Sequence, residues 1–362
     1  MTYRAIGIMS GSSLDGLDIA FVEFQENAGR WTSEIVEAAC YPYTTAWMDR
    51  LKNAITMSAL DYQLLHVDYG HYIGQQINAF IKEFALDYKV ALVASHGHTS
   101  FHVPARKMTA QLGDGAAIAA ETGLPVVSDL RSLDIAFGGQ GAPIVPIGEK
   151  LLLGDYAYFL NLGGIANISV NAERYIAFDV CAANRVLNML ANEKGKAYDD
   201  GGQMAASGNV QETLLTQLNE LDYYQKPFPK SLANDFGTDT VYPMIRQANL
   251  STEDALRTYT EHIVRQIANA IPTTSHSSTG SNMMVTGGGA LNTFLIERLT
   301  SILKNAGINV IVPESKLVNY KEAMIMALIG VLRWRQEYNV FSSVTGAERD
   351  SISGALWIGQ EA

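Results

Sequence analysis

The sequence has few cysteines, few basic side chains and no long apolar run. Its two cysteines, Cys40 and Cys181, cannot form a disulfide framework or a zinc site alone, so we expect a reducing compartment. A net charge of −11 lacks the basic footprint of nucleic-acid binding. The longest apolar run covers residues 324–332, whereas a membrane span needs about 20 residues. We therefore expect a soluble, cytoplasmic protein with neither nucleic acid nor membrane as partner.

Apolar residues are plentiful and the chain is long. Of the 362 residues, 48% are hydrophobic and 17% are charged, which excludes a mostly disordered chain. At roughly 150 residues per domain, this length predicts two to three domains.

A β-β-β-α pattern occurs twice. The first copy has strands at 3–9, 17–24 and 34–40, followed by a helix whose apolar residues recur at helical spacing: Leu64, Tyr69, Ile73, Ile77, Phe80 and Phe84. The second copy has strands at 157–162, 167–170 and 175–178, followed by a helix with Val186, Leu187 and Leu190. The pattern predicts two α/β lobes, residues 1–133 plus 336–362 and residues 134–335.

Glycines punctuate both copies. In the first, residues 11–18 (GSSLDGLD) join two strands, and their backbone N–H groups and hydroxyls favour a phosphate-binding hairpin, or else a tight turn that uses glycine only for geometry. In the second, Gly163 and Gly164 end a strand. Further on, a strand at 282–286, the turn Gly287–Gly289 and a helix from about 292 to 304 indicate a phosphate or nucleotide cradle.

Two further helix and turn signals frame this region. Ser251 and Asp254 have capping-box spacing and predict a core helix that stops before Pro272. Residues 272–281 have the composition of an exposed connection.

Asp179 is the main candidate for chemistry. It follows the third strand of the second copy, where a carboxylate can act as a general base, although helix N-capping is the alternative. Cys181 has no base nearby in sequence, which argues against a nucleophile.

Two other stretches leave alternatives open. His96, His98 and His102 have spacings that suit a metal, but no acidic residue joins them before Asp114, so a polar loop is the simpler interpretation. Arg131 and Asp134 precede a glycine-rich segment, residues 138–143, which is either a hinge, a ligand contact or a plain connecting loop.

Taken together, ordered motifs over nearly the whole chain resemble the anhydro-N-acetylmuramic acid kinase family of sugar kinases. The motifs are IGIMSGSSLDGLD at 6–18, SHGHT at 95–99, LGD at 112–114, GGQGAP at 138–143, NLGGIANI at 161–168, FD at 178–179, GGGALN at 287–292, EA at 322–323 and SVTGA at 343–347.

The resemblance implies an α/β fold with two lobes of duplicated ribonuclease H-like β-β-β-α type, the actin-like ATPase fold, with an interlobe cleft. It implies that ATP and Mg²⁺ are used to phosphorylate O6 of 1,6-anhydro-N-acetylmuramic acid while water opens the anhydro bridge, a step of peptidoglycan recycling. Dimers also occur in the family, so a homodimer is an expectation.

Residue roles follow from the same motifs. Asp179 matches the catalytic aspartate, which activates water. ATP-binding positions are Gly11, Ser12, Ser13, Leu14, Asp15, Gly16, Leu17, Asp18, Gly163, Gly164, Gly287, Gly288 and Gly289. Substrate-binding positions are His96, Arg131, Asn184 and Glu322. The Mg²⁺ ligands are not identified, and the ion is expected, with ATP, near Asp15.

The sequence departs from the family after Asp179. The family usually has TGPGN there, whereas this chain has VCAAN, so Ala182 and Ala183 would add methyl groups to a pocket. His98 stands where Gln is common, and Ser12 where Thr is common. The alternatives are therefore a kinase of the same fold acting on another amino sugar, or a regulator that binds sugar or nucleotide without catalysis.

Overall fold

The chain forms two α/β units, each with its own sheet and core. The computed structural model describes residues 1–11, 14–172, 175–227, 230–233, 235–271 and 281–359. The first unit comprises residues 1–153 and 320–362, and the second comprises residues 154–319. Among the described residues, no helix is long and apolar enough to cross a membrane.

The first unit contains the predicted N-terminal strands and helix. Its elements are β1 (Thr2–Ser10), β2 (Gly16–Asn27), β3 (Arg30–Pro42), α1 (Thr45–Lys52), α2 (Ala59–Glu83), β4 (Leu92–Ser95), β5 (His98–Val103), β6 (Met108–Leu112), α3 (Gly115–Thr122), β7 (Val126–Ser128), α4 (Ser132–Ala136), α5 (Pro146–Leu152), α14 (Ser342–Thr345) and β13 (Ala355–Trp357).

The second unit repeats this arrangement. Its elements are β8 (Tyr158–Leu162), β9 (Ile165–Val170), β10 (Ile176–Ala182), α6 (Asn184–Asn192), α7 (Gln203–Ser207), α8 (Glu212–Asn219), α9 (Asp222–Gln225), α10 (Tyr242–Gln247), α11 (Thr252–Asn269), β11 (Ser281–Thr286), α12 (Thr293–Lys304) and β12 (Ile308–Ile311). Helix α13 (Ser315–Trp334) begins in the second unit and continues in the first.

The main sheets of the two units share one strand order, and β5 and β6 form a separate two-stranded sheet. In the described residues, the first sheet runs β13-β7-β4-β1-β2-β3 and the second runs β12-β11-β8-β9-β10. In each, three antiparallel strands form a meander, and the next strand lies parallel to the first of the three. Apart from β13, the sheets therefore match strand for strand, which confirms the predicted duplicated β-β-β-α fold.

Helix α2 packs on the first sheet with a slightly different stripe from the predicted one. Leu65, Tyr69, Ile73, Ile77 and Phe80 are buried. Leu64 is 54% exposed and Phe84 caps the helix end. Residues four positions apart lie on the same face of a helix, so Leu65 shares the apolar face of Tyr69 and Leu64 lies outside it.

Helix α11 begins as its capping box predicts. The Ser251 side chain accepts a hydrogen bond from the Asp254 amide at 3.1 Å, and the helix ends at Asn269. The predicted connection at 272–281 lies, up to residue 280, outside the described residues.

The unit boundaries differ from the predicted ones. Residues 134–153 and 320–335, predicted in the second lobe, belong to the first unit. The reason is long-range pairing. The Asp134 carboxylate accepts a hydrogen bond from Thr345 Oγ1 at 2.7 Å, and Glu149 on α5 forms a buried ion pair with Lys321 on α13 at 2.9 Å.

Candidate active-site residues in the two units

The hairpin between β1 and β2 has a glycine-dependent geometry. Leu14 has a left-handed φ of 61°, and its amide lies 3.4 Å from the Gly11 carbonyl oxygen. A Cβ at Gly16 would lie 2.7 Å from the Tyr41 carbonyl oxygen, so β3 approaches too closely for any side chain. Leu17 is fully buried and can offer a ligand only its backbone. Ser12 and Ser13, both predicted to bind ATP, lie outside the described residues.

Carboxylates gather beside this hairpin. Burial raises the pKa of Asp18 to about 6, a hydrogen bond from the Cys40 thiol opposes that rise, and repulsion from Glu322 and Asp15 adds to it. Burial and the same hydrogen bond raise the pKa of Cys40 to about 12, which disfavours its thiolate form.

This cluster suits a divalent cation that phosphates also coordinate. Among the described residues, no group of three or more His, Cys, Asp and Glu is arranged to hold a metal by itself. Mg²⁺ in phosphoryl-transfer enzymes is typically held by one or two carboxylates together with substrate phosphates. Asp15 and Asp18 would be the protein ligands of such a site, and a cation would relieve the repulsion that Asp18 experiences.

His96 holds Arg131. Arg131 Nε donates to His96 Nε2 at 2.8 Å, and Arg131 also donates to the Gly141 carbonyl oxygen. Because Arg131 can only donate, His96 is neutral, and its Nδ1 donates to the Gly97 carbonyl oxygen at 2.8 Å. Burial, with the charge of Arg131, lowers the pKa of His96 to about 3. Both ring nitrogens are engaged within the protein, so His96 positions Arg131, and its predicted contact with substrate stays a prediction.

The glycine-rich segment 138–143 folds around a buried carboxylate. Asp134 is fully buried and accepts hydrogen bonds from Thr345 Oγ1 and the Gly141 amide, both at 2.7 Å. A Cβ at Gly139 would lie 2.3 Å from Asp134 Oδ2. Asp134 and Glu322 both help to keep the Arg131 guanidinium charged, although burial lowers its pKa to about 10. The segment therefore fixes Arg131 by contacts within the protein, and the hinge, ligand-contact and connecting-loop interpretations all stay open.

The three histidines of the first unit have different partners. His98 Nδ1 lies 3.1 Å from Ser10 Oγ, which accepts a hydrogen bond from the Tyr43 hydroxyl. His102 Nδ1 lies 3.2 Å from Thr109 Oγ1. With His96 bound to Arg131, these partners favour the polar-loop interpretation over a metal site.

In the second unit, Asp179 lies at a β-bulge and does not cap a helix. The register of β10 against β9 shifts between Asp179 and Cys181, and helix α6 has Ala183 at its N-cap. The helix-capping alternative is therefore wrong, and a bulge is a device that redirects a side chain.

Three hydrogen bonds fix Asp179. Its backbone amide donates to the Lys230 carbonyl oxygen at 3.0 Å, and its carbonyl oxygen accepts from the Tyr223 hydroxyl at 2.7 Å. Its Oδ2 accepts from the Leu232 amide at 2.9 Å. Burial raises the pKa of Asp179, and the bond from Leu232 opposes the rise. Within the described residues Oδ1 has no hydrogen-bond partner, so one oxygen is held while the other can take a proton.

The two glycine turns of the second unit are tied together by Asn184. Its Nδ2 donates to the Leu162 carbonyl oxygen at 2.9 Å, and a Cβ at Gly289 would lie 2.9 Å from its Oδ1. The Asn184 backbone amide also donates to the Gly163 carbonyl oxygen at 3.1 Å. Asn184 is thus hydrogen-bonded to the first turn and lies close to the second, and its contact with substrate stays a prediction.

The turn after β11 has room for a ligand at one position. Gly287 has a φ of 82°, whereas Gly288 begins a 3-10 turn that leads to α12. A Cβ at Gly288 would meet nothing nearer than Asn184 Nδ2 at 3.7 Å. The described protein atoms therefore do not explain why position 288 lacks a side chain, and a close-approaching ligand would.

The residues after Asp179 do not alter a pocket as expected. Ala182 and Ala183 are buried in the hydrophobic core of the second unit. The Ala182 carbonyl oxygen accepts a hydrogen bond from Tyr259 at 2.8 Å. The two methyl groups that distinguish this chain from the family pattern therefore fill the core.

Sequence reasoning missed the groups that orient Asp179 and His98. Leu232 contributes a backbone amide and lies 53 positions from Asp179 in the chain, so no motif marks it. The Tyr43 hydroxyl donates to Ser10 Oγ, which lies 3.1 Å from His98 Nδ1, and this contact appears only in the folded chain.

Two α/β units with the same strand order are the duplicated fold of actin-like ATPase type that the motifs implied. The sequence model of the anhydro-N-acetylmuramic acid kinase family matches residues 3–359. The chain therefore belongs to the anhydro-N-acetylmuramic acid kinase family.

Individual relatives align with nearly the whole chain. The protein named anhydro-N-acetylmuramic acid kinase in a Sulfurovum species is 31% identical to this chain, and the alignment covers 98% of this chain and 99% of that protein. The protein of the same name in Coxiella burnetii is 32% identical, and the alignment covers 99% of this chain and 98% of that protein. Among solved structures, the activator of the 2-hydroxyisocaproyl-CoA dehydratase from Clostridium difficile aligns with a TM-score of 0.45 and 12% identity over 92% of this chain and 96% of that one.

Proposed function

We propose that this kinase transfers the γ-phosphoryl group of ATP to O6 of 1,6-anhydro-N-acetylmuramic acid while water opens the anhydro bridge. The products are N-acetylmuramic acid 6-phosphate and ADP, and the reaction belongs to peptidoglycan recycling in the cytoplasm. Family membership supports the substrate. The observation that carries the chemistry is Asp179, with one carboxylate oxygen held by the Leu232 amide and a pKa raised by burial.

Asp179 acts as the general base. Its free oxygen takes a proton from water, the water oxygen bonds to the anomeric carbon, and the bond from that carbon to O6 breaks. O6 then bonds to the γ-phosphorus as the bond to ADP breaks. A raised pKa suits this task because a base works best when its pKa approaches the working pH.

The nucleotide side of the reaction asks for positioning and charge neutralisation. Gly11–Asp18 and the turns at 163–164 and 287–289 supply backbone N–H groups for phosphate oxygens. Asp15 and Asp18 would hold Mg²⁺, which when bound would neutralise phosphate charge. Arg131, fixed by His96, and Glu322 are proposed to contact the sugar. The homodimer stays a prediction.

Product masses test the proposal. The protein is incubated with ATP, Mg²⁺ and, separately, 1,6-anhydro-N-acetylmuramic acid, N-acetylmuramic acid and N-acetylglucosamine. We expect a product heavier by one phosphate and one water from the anhydro-sugar alone. Phosphorylation of another sugar without added water would assign a different amino-sugar kinase, and nucleotide binding without turnover would assign a regulator.

A further inference from the structure

A row of four polar residues crosses the sheet of the second unit. The backbone register pairs Asp179 with Asn167, Asn167 with Asn161, and Asn161 with Thr286. Directly paired residues in adjacent strands have their side chains on the same face of a sheet, close enough to interact. The polar row therefore runs across β10, β9, β8 and β11 from Asp179 to the residue before Gly287.

The polar row lies on the face opposite the hydrophobic core. The neighbouring register pairs join Phe178 to Ile168, Ile168 to Leu160, and Leu160 to Val285. All four of these side chains belong to the core of the unit. Because side chains alternate along a strand, the row points away from that core.

One end of the polar row contains an unpartnered hydroxyl. Thr286 is 1% exposed, and its Oγ1 has no hydrogen-bond partner within the described residues. Leaving a buried hydroxyl unpaired is unfavourable, and such a group in a native fold requires an explanation. A ligand oxygen placed at the end of β11 would supply the missing partner.

The neighbouring amide lies against the glycine turn. A Cβ at Gly287 would be 2.4 Å from Asn161 Oδ1, so the absence of a side chain at 287 leaves room for the Asn161 carboxamide. Asn161 and Asn167 are each partly exposed, and their amide groups can both donate and accept hydrogen bonds. These are the groups that sugar hydroxyls and phosphoryl oxygens require.

The length of the polar row suits the proposed reactants. Three spacings between adjacent strands of about 4.8 Å give about 14 Å from Asp179 to Thr286. A pyranose ring with a phosphoryl group at O6 can lie along such a distance, with its anomeric carbon toward the base and the phosphoryl group toward the glycine turn.

We propose that the polar row is the surface on which the reacting groups bind. Asn167 binds the acceptor sugar beside Asp179, and Asn161 and Thr286 donate hydrogen bonds to oxygens of the transferred phosphoryl group. This assignment rests on the proposed function, since it takes the base and the nucleotide turn as the two ends of the row.

Three variants and one control test the polar row. Thr286→Val keeps the β-branched shape and removes the hydroxyl, Asn161→Asp replaces a donor by a carboxylate, and Asn167→Leu removes the amide. The matched control is Ser169→Ala, because Ser169 pairs with Phe159 and lies on the same face of β9, two residues from Asn167 but off the row.

For Thr286→Val we expect an unchanged or higher Tm, because the hydroxyl has no partner to lose. We also expect its affinity for a non-hydrolysable ATP analogue, measured by calorimetry, to be roughly 10- to 100-fold weaker than that of the wild type. Asn161→Asp should lower the affinity for the ATP analogue further, because the carboxylate repels phosphoryl oxygens. Asn167→Leu should lower kcat/KM for the sugar by a similar factor and leave analogue binding unchanged. Ser169→Ala should match the wild type in all three measurements.

A lower Tm with unchanged analogue affinity in Thr286→Val would assign the hydroxyl to the fold and overturn the phosphoryl contact. A wild-type kcat/KM in Asn167→Leu would overturn the sugar contact. If the wild type phosphorylates no sugar, the proposed function fails, and the analogue affinities of Thr286→Val and Asn161→Asp still decide whether the row binds a phosphoryl group.

Discussion

At the scale of single residues, Asp179 combines a fixed carboxylate with a pKa raised by burial. Replacing it by Asn keeps an oxygen that can accept the Leu232 hydrogen bond but removes the group that takes the proton. We expect kcat of Asp179→Asn to fall by about 10² to 10⁴, the range of general-base catalysis, with the affinity for an ATP analogue unchanged. Steady-state kinetics and calorimetry measure the two quantities.

The same carboxylate predicts the pH dependence of the rate. The deprotonated form is active, so the rate rises with pH through the pKa of Asp179. Because burial raises that pKa, the acid limb should lie above the ordinary range of aspartate. The exposed Asp155→Asn control should retain this limb. Near-normal rates in Asp179→Asn, with the limb in place, would remove the assignment.

Gly287 and Gly288 should respond differently to the same substitution. Gly287→Ala places a methyl group 2.4 Å from Asn161 Oδ1 at a φ of 82°, so we expect a lower Tm. Gly288→Ala meets no atom within 3.4 Å, so its Tm should stay within about 1 °C of the wild type while ATP-analogue affinity falls. Thermal denaturation and calorimetry separate the two effects. Unchanged analogue affinity in Gly288→Ala would remove that position from the nucleotide site.

At the scale of elements, a buried ion pair joins two helices beside the proposed substrate residue Glu322. Lys321 Nζ on α13 lies 2.9 Å from Glu149 Oε1 on α5. Lys321→Met removes the cation from a buried carboxylate, which typically costs 3–5 kcal/mol in a buried pair. We expect a loss of about that size in the free energy of unfolding.

The double variant Glu149→Leu with Lys321→Met is the comparison. Replacing both charges by apolar groups is often neutral or stabilising, so the double variant should recover most of the lost stability. Urea denaturation of the three proteins measures the coupling. Equal losses in the single and double variants would show that the pair acts through packing and not through charge.

Local patterns predicted which elements form. The predicted strand at 3–9, the glycines at 163–164 and the capping box at 251–254 correspond to β1, the β8–β9 turn and α11. These signals act over a few residues, so the sequence carries them directly.

Long-range contacts decided what the patterns could not predict. The bulge at Asp179 depends on Tyr223 and on backbone groups of residues 230–232, and the role of His96 depends on Arg131. The observed unit boundaries differ from the predicted ones because Asp134 pairs with Thr345, more than 200 positions away in the chain. No local spacing encodes such partners.

At the scale of the whole molecule, the protein has a negative net charge, and one of its carboxylates, Asp18, lies in a crowded acidic site. The net charge of −11 counts Asp18 as ionised. Burial raises the pKa of Asp18 to about 6, and two neighbouring carboxylates contribute to that rise. The folded state therefore binds a proton at this group more tightly than the unfolded state does. Between about pH 4 and 6 the folded protein holds more protons, so this contribution to stability is lost as pH rises.

Asp18→Asn should remove this pH dependence. At pH 8 the variant should be more stable than the wild type by about 1–3 kcal/mol, since one pKa unit corresponds to about 1.4 kcal/mol, and near pH 4 the difference should vanish. Activity should fall at the same time, because the variant loses a proposed Mg²⁺ ligand. Urea denaturation at several pH values measures the first effect, and turnover at saturating ATP measures the second.

The exposed Asp87→Asn variant is the control for a general change of net charge, since it removes the same formal charge away from the cluster. If both variants gain equal stability at pH 8, the effect belongs to the overall acidity of the chain and not to the crowded site of Asp18. If Asp18→Asn alone gains stability while losing turnover, the cluster is destabilising in the free protein and is retained because a cation binds there. Added Mg²⁺ with ADP should then raise the Tm of the wild type more than that of Asp18→Asn.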